Sequence, residues 1–448
     1  MTMFSSQWFA SPGVDAGYEV DYSCRFHGTD STYLAFTPSS TATSTKIGTL
    51  SVWVKLALDT AVNNQVIAAG GASGDIIKFD QSNFKIESFL QGQSSGRYIT
   101  TQLFRDPHAW GHLVLALDTN SGTAAGNRMR IYWNGEEITA FGTETDASAD
   151  YALLYGRSGT EQVIGNKTTP GTDYQFGGYM AEVVYIDGQQ LTPSSFGETD
   201  DNGVWRPVDV SELTFGNNGY YLDFADDSDL GNDVSGNNND FSSTGLADVD
   251  QMTDTPTNNW ANITSIGGDP GNVTSDGNLN CVIGATDKGM AWSSMIFDLE
   301  DTTGWYWEIT PKSAGGSTIG AWSFGACAPN VPNGTADADS RMYLNNPSGK
   351  AYDDVLMFAV KGGAMWVGKD GTWDNSATNA EIAAGTTTNA AETGLTGFAK
   401  TVVTHGHAST ATFESNYGQI GFTHASDQVA AGLKALNTTN LAVPSIAD

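Results

Sequence analysis

The sequence predicts an all-β protein, built as two β-sandwich domains of jelly-roll type joined by a polar linker. Three observations carry that expectation. Apolar and polar residues alternate in short runs, Gly, Asn, Asp and Ser separate the runs, and i, i+3, i+4 spacing is nearly absent. A length of 448 residues exceeds what one ordinary core organises and suits two. Helix is therefore expected in less than about 10% of the chain, against the usual third.

The elements follow in order. Thr49–Leu56 (TLSVWVKL) places Leu50, Val52, Val54 and Leu56 on one face of a strand. Gly111–Asp118 (GHLVLALD) is a second strand, and Asn127–Ile138 (NRMRIYWNGEEI) turns at Asn134-Gly135, a strong hairpin signal. Gly178–Leu191 (GYMAEVVYIDGQQL) is a long strand. A helix start follows, with Thr192 as N-cap and Pro193 at the first helical position. Gly219–Asp226 (GYYLDFAD) closes the first half. After Trp260 come further strands, among them Gly304–Thr310 (GWYWEIT) and Ser415–Phe422 (SNYGQIGF). The polar stretch between the halves is broken by Pro256 and Pro270 and reads as a linker. Residues 370–398 read as a surface excursion with one helical turn. The expected division is an attachment segment 1–30, a sandwich 31–248, a linker 249–275, a second sandwich 276–431 and a tail 432–448.

Formal charge is −31, from 51 acidic and 20 basic residues. Such a surface repels phosphate backbones and anionic lipid, so neither nucleic acid nor membrane is an expected partner. No run of 18 apolar residues spans a bilayer. The start lacks the basic and apolar runs of a secretory leader, so synthesis in a cytoplasm is expected. Cys24, Cys281 and Cys327 stand far apart in apolar surroundings and read as buried free thiols.

Taken together, Tyr33–Phe36 (YLAF), LSVWVKL, WGHLVLALDT, RIYWNGEEI and Phe176–Glu198 resemble the concanavalin A-like sandwich in its laminin G-like form. In the second half GWYWEIT, WSFGAC, Met365–Trp373 (MWVGKDGTW) and SNYGQIGF resemble a SPRY sandwich, with Tyr417 where that family has Phe. Phe4–Gly13 (FSSQWFASPG), Thr253–Ile263 (TDTPTNNWANI) and Gly432–Ile446 (GLKALNTTNLAVPSI) are similar to phrases in virion-surface proteins of tailed bacteriophages. That resemblance implies a virion structural protein, a tail fibre or capsid decoration made in the host cytoplasm. Its partners would be other virion proteins, copies of itself (a trimer) and host-surface glycan.

The candidate sites are few. Leu222–Phe241 (LDFADDSDLGNDVSGNNNDF) offers Asp226, Asp229, Asp233 and Asp240 as oxygen ligands for calcium, the only cofactor that enters the reading. The EF-hand order is not met, although the laminin G resemblance implies calcium at a sandwich rim in some members. Asx-type turn bonding explains the same residues and ranks first. Trp110, Trp205 and Trp373 adjoin turn sequence and are the candidate sugar platforms, with core packing as the alternative. His405 and His407 share a strand face without a third metal ligand in view, and His112 reads as a packed strand histidine. A glucanase of this fold would need E-x-D-x-x-E; Glu136, Glu137, Glu182, Asp187 and Glu308 fall in no such pattern. A non-enzymatic adhesion and assembly protein is expected. The alternatives are a virion polysaccharide depolymerase and a cellular lectin or adhesin. Residues 1–14, with Met3, Phe4, Trp8 and Phe9, are the expected anchor to a partner.

Overall fold

Alternation becomes antiparallel sheet throughout the computed structural model, which describes residues 17–28, 32–57, 64–71, 74–80, 82–167, 175–264, 271–284, 289–314, 322–329, 340–345, 349–406 and 409–441. Strand accounts for 41% and helix for 9%, with two short α-helices among the described residues. None of these helices is long and apolar enough to cross a membrane. The chain divides into two compact units, Met1–Asn259 and Trp260–Asp448.

The first unit holds two eight-stranded sheets. Sheet I runs Glu136–Glu137, Met129–Trp133, Gly111–Asp118, Ile47–Leu56, Gly178–Asp187, Ser23–Phe26, Gln251–Met252, with Tyr220–Leu222 also paired to Gly178–Asp187. Sheet II runs Phe141–Thr145, Arg97–Thr100, Lys85–Phe89, Asp75–Asp80, Asn64–Ala69, Gln162–Ile164, Tyr33–Phe36, Ser242–Thr244. Leu50, Val52, Val54 and Leu56 point inward and share one core with Ile67, Ile77, Phe79 and Ile86, as the alternation required. Asn134 and Gly135 take φ of 47° and 83°, the left-handed pair that a two-residue hairpin needs.

Gly178–Asp187 is buried along its whole length, on both faces. The second face exists because later chain folds back over the outside of sheet I. Phe196, Val210 and Phe215 cover Val114, Ala116, Val184 and Ile186, and Met252 packs with Trp53, Trp110 and Tyr179. The same strand carries a bulge. Ala181 pairs with Trp53 and Val184 with Ser51, so one extra residue is accommodated between them.

The second unit holds sheet III, in the order Ile263–Thr264, Gly289–Ser293, Phe398–His405, Trp322–Cys327, Ser340–Asn345, with Phe297–Asp298 also paired to Phe398–His405. Sheet IV runs Val273–Ser275, Asn280–Ile283, Ala411–Asn416, Trp305–Ala314, Leu356–Lys361, Ala364–Lys369, Thr372–Trp373, with Glu392–Thr393 on Ala364–Lys369. Trp307, Trp322, Phe324, Phe358, Val403 and Phe413 form its centre. All three cysteines are free and buried.

Three local expectations meet a different outcome. The helix expected from Thr192 is a single 3-10 turn, Pro193–Ser195, without a side-chain cap. By Gly197 the chain has already entered a two-strand ribbon with Trp205–Pro207. The start of the expected linker is packed, since Asp254, Thr255 and Asn262 are fully buried. In the expected tail, Leu433 and Leu436 are buried and Lys434 bridges to Trp305. The helical turn in the excursion is Asn379–Ala383, capped reciprocally by Thr378 and Glu381 and anchored by buried Ile382.

Candidate functional site

The outer face of sheet I concentrates the titratable and aromatic side chains of the first unit. Strand alternation turns Ser51, Trp53 and Lys55 outward, opposite the inward Leu and Val set. The Trp53 ring stacks on His112 with centroids 4.6 Å apart and planes within 16°. His112 in turn lies 6.0 Å from Trp205 at 20°, giving three rings in one pile. Trp205 comes from the ribbon laid over the sheet and is wedged between Gly135 and Gly197. A Cβ at either glycine would stand 2.7 Å from the indole, so only glycine admits it.

The hydrogen bonds of this pile decide its chemistry. Trp205 Nε1 donates to His112 Nδ1 at 3.0 Å. An indole nitrogen is only a donor, so Nδ1 is the bare nitrogen and Nε2 carries the proton. Nε2 lies 2.8 Å from Ser51 Oγ and therefore donates to it. Burial pushes the His112 pKa down to about 3, keeping the ring neutral. A serine facing the protonated nitrogen of a neutral imidazole is not activated, because a nucleophile needs the bare nitrogen to take its proton. Ser51 and His112 are packing partners.

Below the pile, the structure places Trp110 in the interior, at 2% exposure, which corrects its reading as a sugar platform. Its Nε1 donates to Asp254 Oδ1 at 2.8 Å. Lys55 Nζ donates to Asp254 Oδ2 at 2.6 Å and to Asn259 Oδ1 at 2.7 Å. Burial pushes the Lys55 pKa down and the Asp254 charge opposes that shift. Trp373 is likewise interior, at 6% exposure, donating to Asn379 Oδ1 at 2.6 Å and meeting Tyr306 edge-on. Both indoles bury their rings because each has an internal acceptor for its N–H. Trp205 is half-buried, with its ring stacked on His112.

Glu182 is the residue that occupies the bulge. It adopts φ of 50°, left-handed backbone that a glutamate enters only when its surroundings impose it. Tyr221 Oη donates to its Oε2 at 2.8 Å, Tyr18 Oη donates to the same oxygen at 3.2 Å, and the two hydroxyls are 3.0 Å apart. Burial raises the carboxyl to about 7, against the two tyrosine hydrogen bonds, and Asp223 and Asp209 push the same way. This group can hold or release a proton near neutrality. Its signal in the sequence is a carboxylate placed inside the otherwise apolar run Tyr179–Ile186.

The acidic loop is a network of turns. Asp226 accepts from the Ser228 N–H and hydroxyl, and Asp229 from the Gly231 N–H. Asp233 is buried and accepts from the N–H groups of Tyr221, Ser235 and Asn239; Asp240 accepts from the Asp233 N–H. These carboxylates point at their own backbone. Among the described residues no group of three or more His, Cys, Asp or Glu is placed to hold a metal. His405 is buried beside Trp322, 5.2 Å between rings, and His407 lies outside the described residues. Glu308 accepts from Tyr306, Thr423 and His424, tying down the chain after Ser415–Phe422. Asp187 accepts from the N–H groups of Thr43, Ser44 and Asn218.

Residues 27–194 match the family model of the concanavalin A-like lectin/glucanases superfamily, in its laminin G form. The first unit contains a laminin G-like domain. By sequence, no curated protein matches the chain. Among solved structures the chain is similar to a heptameric pentraxin of Limulus polyphemus, at 15% identity and TM-score 0.31 over 39% of this chain and 78% of that one. The chain is also similar to domains LG4-5 of the mouse laminin α1 chain, at 9% identity and TM-score 0.30 over 94% and 89%. A sialidase CBM40 of Ruminococcus gnavus, solved with α2,3-sialyllactose, matches at 16% identity and TM-score 0.24 over 31% and 73%. These likenesses are too slight to carry a function across. In this chain, side chains from residues 189–217 and 250–259 pack on the outer face of sheet I.

Proposed function

We propose that this chain is a non-enzymatic adhesion and assembly protein of a tailed-phage virion surface, a fibre or capsid decoration. It would use its laminin G-like domain and a SPRY-like second sandwich to engage host-surface glycan or receptor. The observation that carries the reading is the hydrogen-bonding of His112. The one serine–histidine contact at the centre of sheet I is held in the tautomer that cannot activate the serine. The acidic surface and the family match agree with it. Incorporation into particles or oligomers through residues 1–30 belongs to the same reading; residues 1–16 lie outside the described residues. Immunogold labelling of virions tests the location, and deletion of residues 2–14 tests the anchor. A folded truncated chain that still assembles normally removes the anchor from the proposal.

Glu182 favours one second reading, a polysaccharide depolymerase, because a carboxyl at about 7 suits a general acid. Sugar release from host envelope polysaccharide by the purified chain, lost in Glu182→Gln, would establish that reading in place of the first. Absence of release together with retained glycan adhesion supports the first.

A further inference from the structure

On the outer face of sheet III one lysine stands apart from the others. The strand Phe398–His405 sends Ala399 and Val403 into the sandwich core, so Phe398, Lys400 and Val402 face outward. Lys400 is only 8% exposed. Its Nζ sits 3.5 Å from the centroid of the Trp292 ring, on the neighbouring strand Gly289–Ser293. Among the described residues it has neither a carboxylate nor a hydrogen-bond acceptor. Other buried or half-buried lysines are paired: Lys55 with Asp254, Lys78 with Glu87, Lys350 with Asp374, Lys434 with Asp301.

An indole face offsets only part of the cost of withdrawing an ammonium from water. In a chain this rich in carboxylates, a buried lysine with none beside it among the described residues points to an anion from elsewhere. Burial also pushes the Lys400 pKa down, with the nearby Cys327 opposing the shift.

The second observation is the apolar surface beside it. Phe398, two residues along the same face, is 63% exposed, and Ile296 on the adjoining segment is 40% exposed. Asp298, opposite Phe398 in the register, has Oδ1 engaged by the Glu300 N–H.

We propose that this face is a binding site for a carboxylated sugar, with Lys400 receiving the carboxylate and Phe398 and Ile296 the apolar face of the ring. A compact ammonium without a second cation suits a single negative charge rather than a phosphate, which takes several donors. The exposed ring suits a rigid C–H face. The inference rests on the adhesion reading above and names its substrate class.

The test compares binding of the full chain to a short oligogalacturonate and to its full methyl ester, the same chain with the charge capped. Wild type binds the acid form and not the ester. Lys400→Met weakens that binding by about tenfold or more, and Phe398→Ala by a smaller factor. In the wild-type protein, acetylation of Lys400 read by mass spectrometry is slowed by the acid form and not by the ester, which needs no variant. Equal binding of acid and ester, no binding of either, or unchanged labelling of Lys400 overturns the proposal. Equal affinity for a poly-glutamate peptide overturns the sugar assignment. Adhesion to host glycan that survives Lys400→Met sinks this site while leaving the adhesion reading intact.

Discussion

Lys55 and Lys400 both lie on an outer sheet face against an aromatic ring, Tyr179 at 5.6 Å and Trp292 at 3.5 Å, and both have their pKa pushed down by burial. Their surroundings differ. Over Lys55 the chain brings back residues 250–259, whose Asp254 and Asn259 accept its hydrogen bonds, while Trp110 donates to the other Asp254 oxygen. The cation becomes a fastener for the covering segment. Over Lys400 the described chain brings no carboxylate, and the neighbouring Phe398 is left in water. The same residue type is neutralised by a carboxylate on one face and stands without one, beside exposed Phe398, on the other.

The strongest way to break this comparison is to remove Asp254. Asp254→Ala leaves Lys55 and the Trp110 N–H buried without their acceptor and should cost about 3–5 kcal/mol in denaturant unfolding of the first unit. A loss below about 1 kcal/mol would mean that the segment is held by packing alone.

Next in size is Glu182. Its folded pKa, about 7, exceeds the ordinary 4.5, so the folded state favours the protonated form. The resulting stability is fully present below about pH 4.5 and is lost as pH rises to about 7, by a few kcal/mol. Glu182→Gln should flatten that slope and leave the variant more stable than wild type at pH 8. A slope that persists in the variant assigns it elsewhere. Asp250 in the same unit sharpens the point with the opposite sign. Burial would raise its carboxyl, but His27, the Ala247 N–H and Arg25 outweigh burial and hold it below the ordinary value. Its contribution is lost as pH falls through the acid range, so Asp250→Asn should lower stability at pH 7 and not at pH 2.

Asp233→Ala strands the N–H groups of Tyr221, Ser235 and Asn239 and should cost about 1–3 kcal/mol. Chelator should leave the melting temperature unchanged; a drop restored by calcium alone would return the loop to the metal reading. Smallest of all is the loss on Lys400→Met, which should leave the protein at least as stable as wild type, because the substitution removes the desolvation cost of an unpaired buried cation. A large loss there would make Lys400 a fastener like Lys55.

Much of the architecture was legible in the residues. Inward Leu50, Val52, Val54 and Leu56, the Asn134-Gly135 turn and the single helical turn near residue 380 were all local signals, since period and turn chemistry act over a few residues. The laminin G-like order of phrases was legible for the same reason. The helix at Pro193 was misread because the start signal said nothing of the strand partner that claims Gly197. Trp110 and Trp373 were misplaced because adjoining a turn does not reveal whether an acceptor waits inside.

By itself the sequence determined that the chain is all-β, which strand faces are apolar, and that its carboxylates far outnumber its cations. These follow from side-chain period and composition, which need no knowledge of distant partners. Tertiary structure alone decided that Glu182 stands in a left-handed bulge between two tyrosines, that Trp205 sets the tautomer of His112, and that Lys55 meets a carboxylate while Lys400 meets none among the described residues. Glu182 and Tyr221 are 39 residues apart, His112 and Trp205 93, and Lys55 and Asp254 199. At such separations it is the sheet order and the path of the covering segments that place donor beside acceptor.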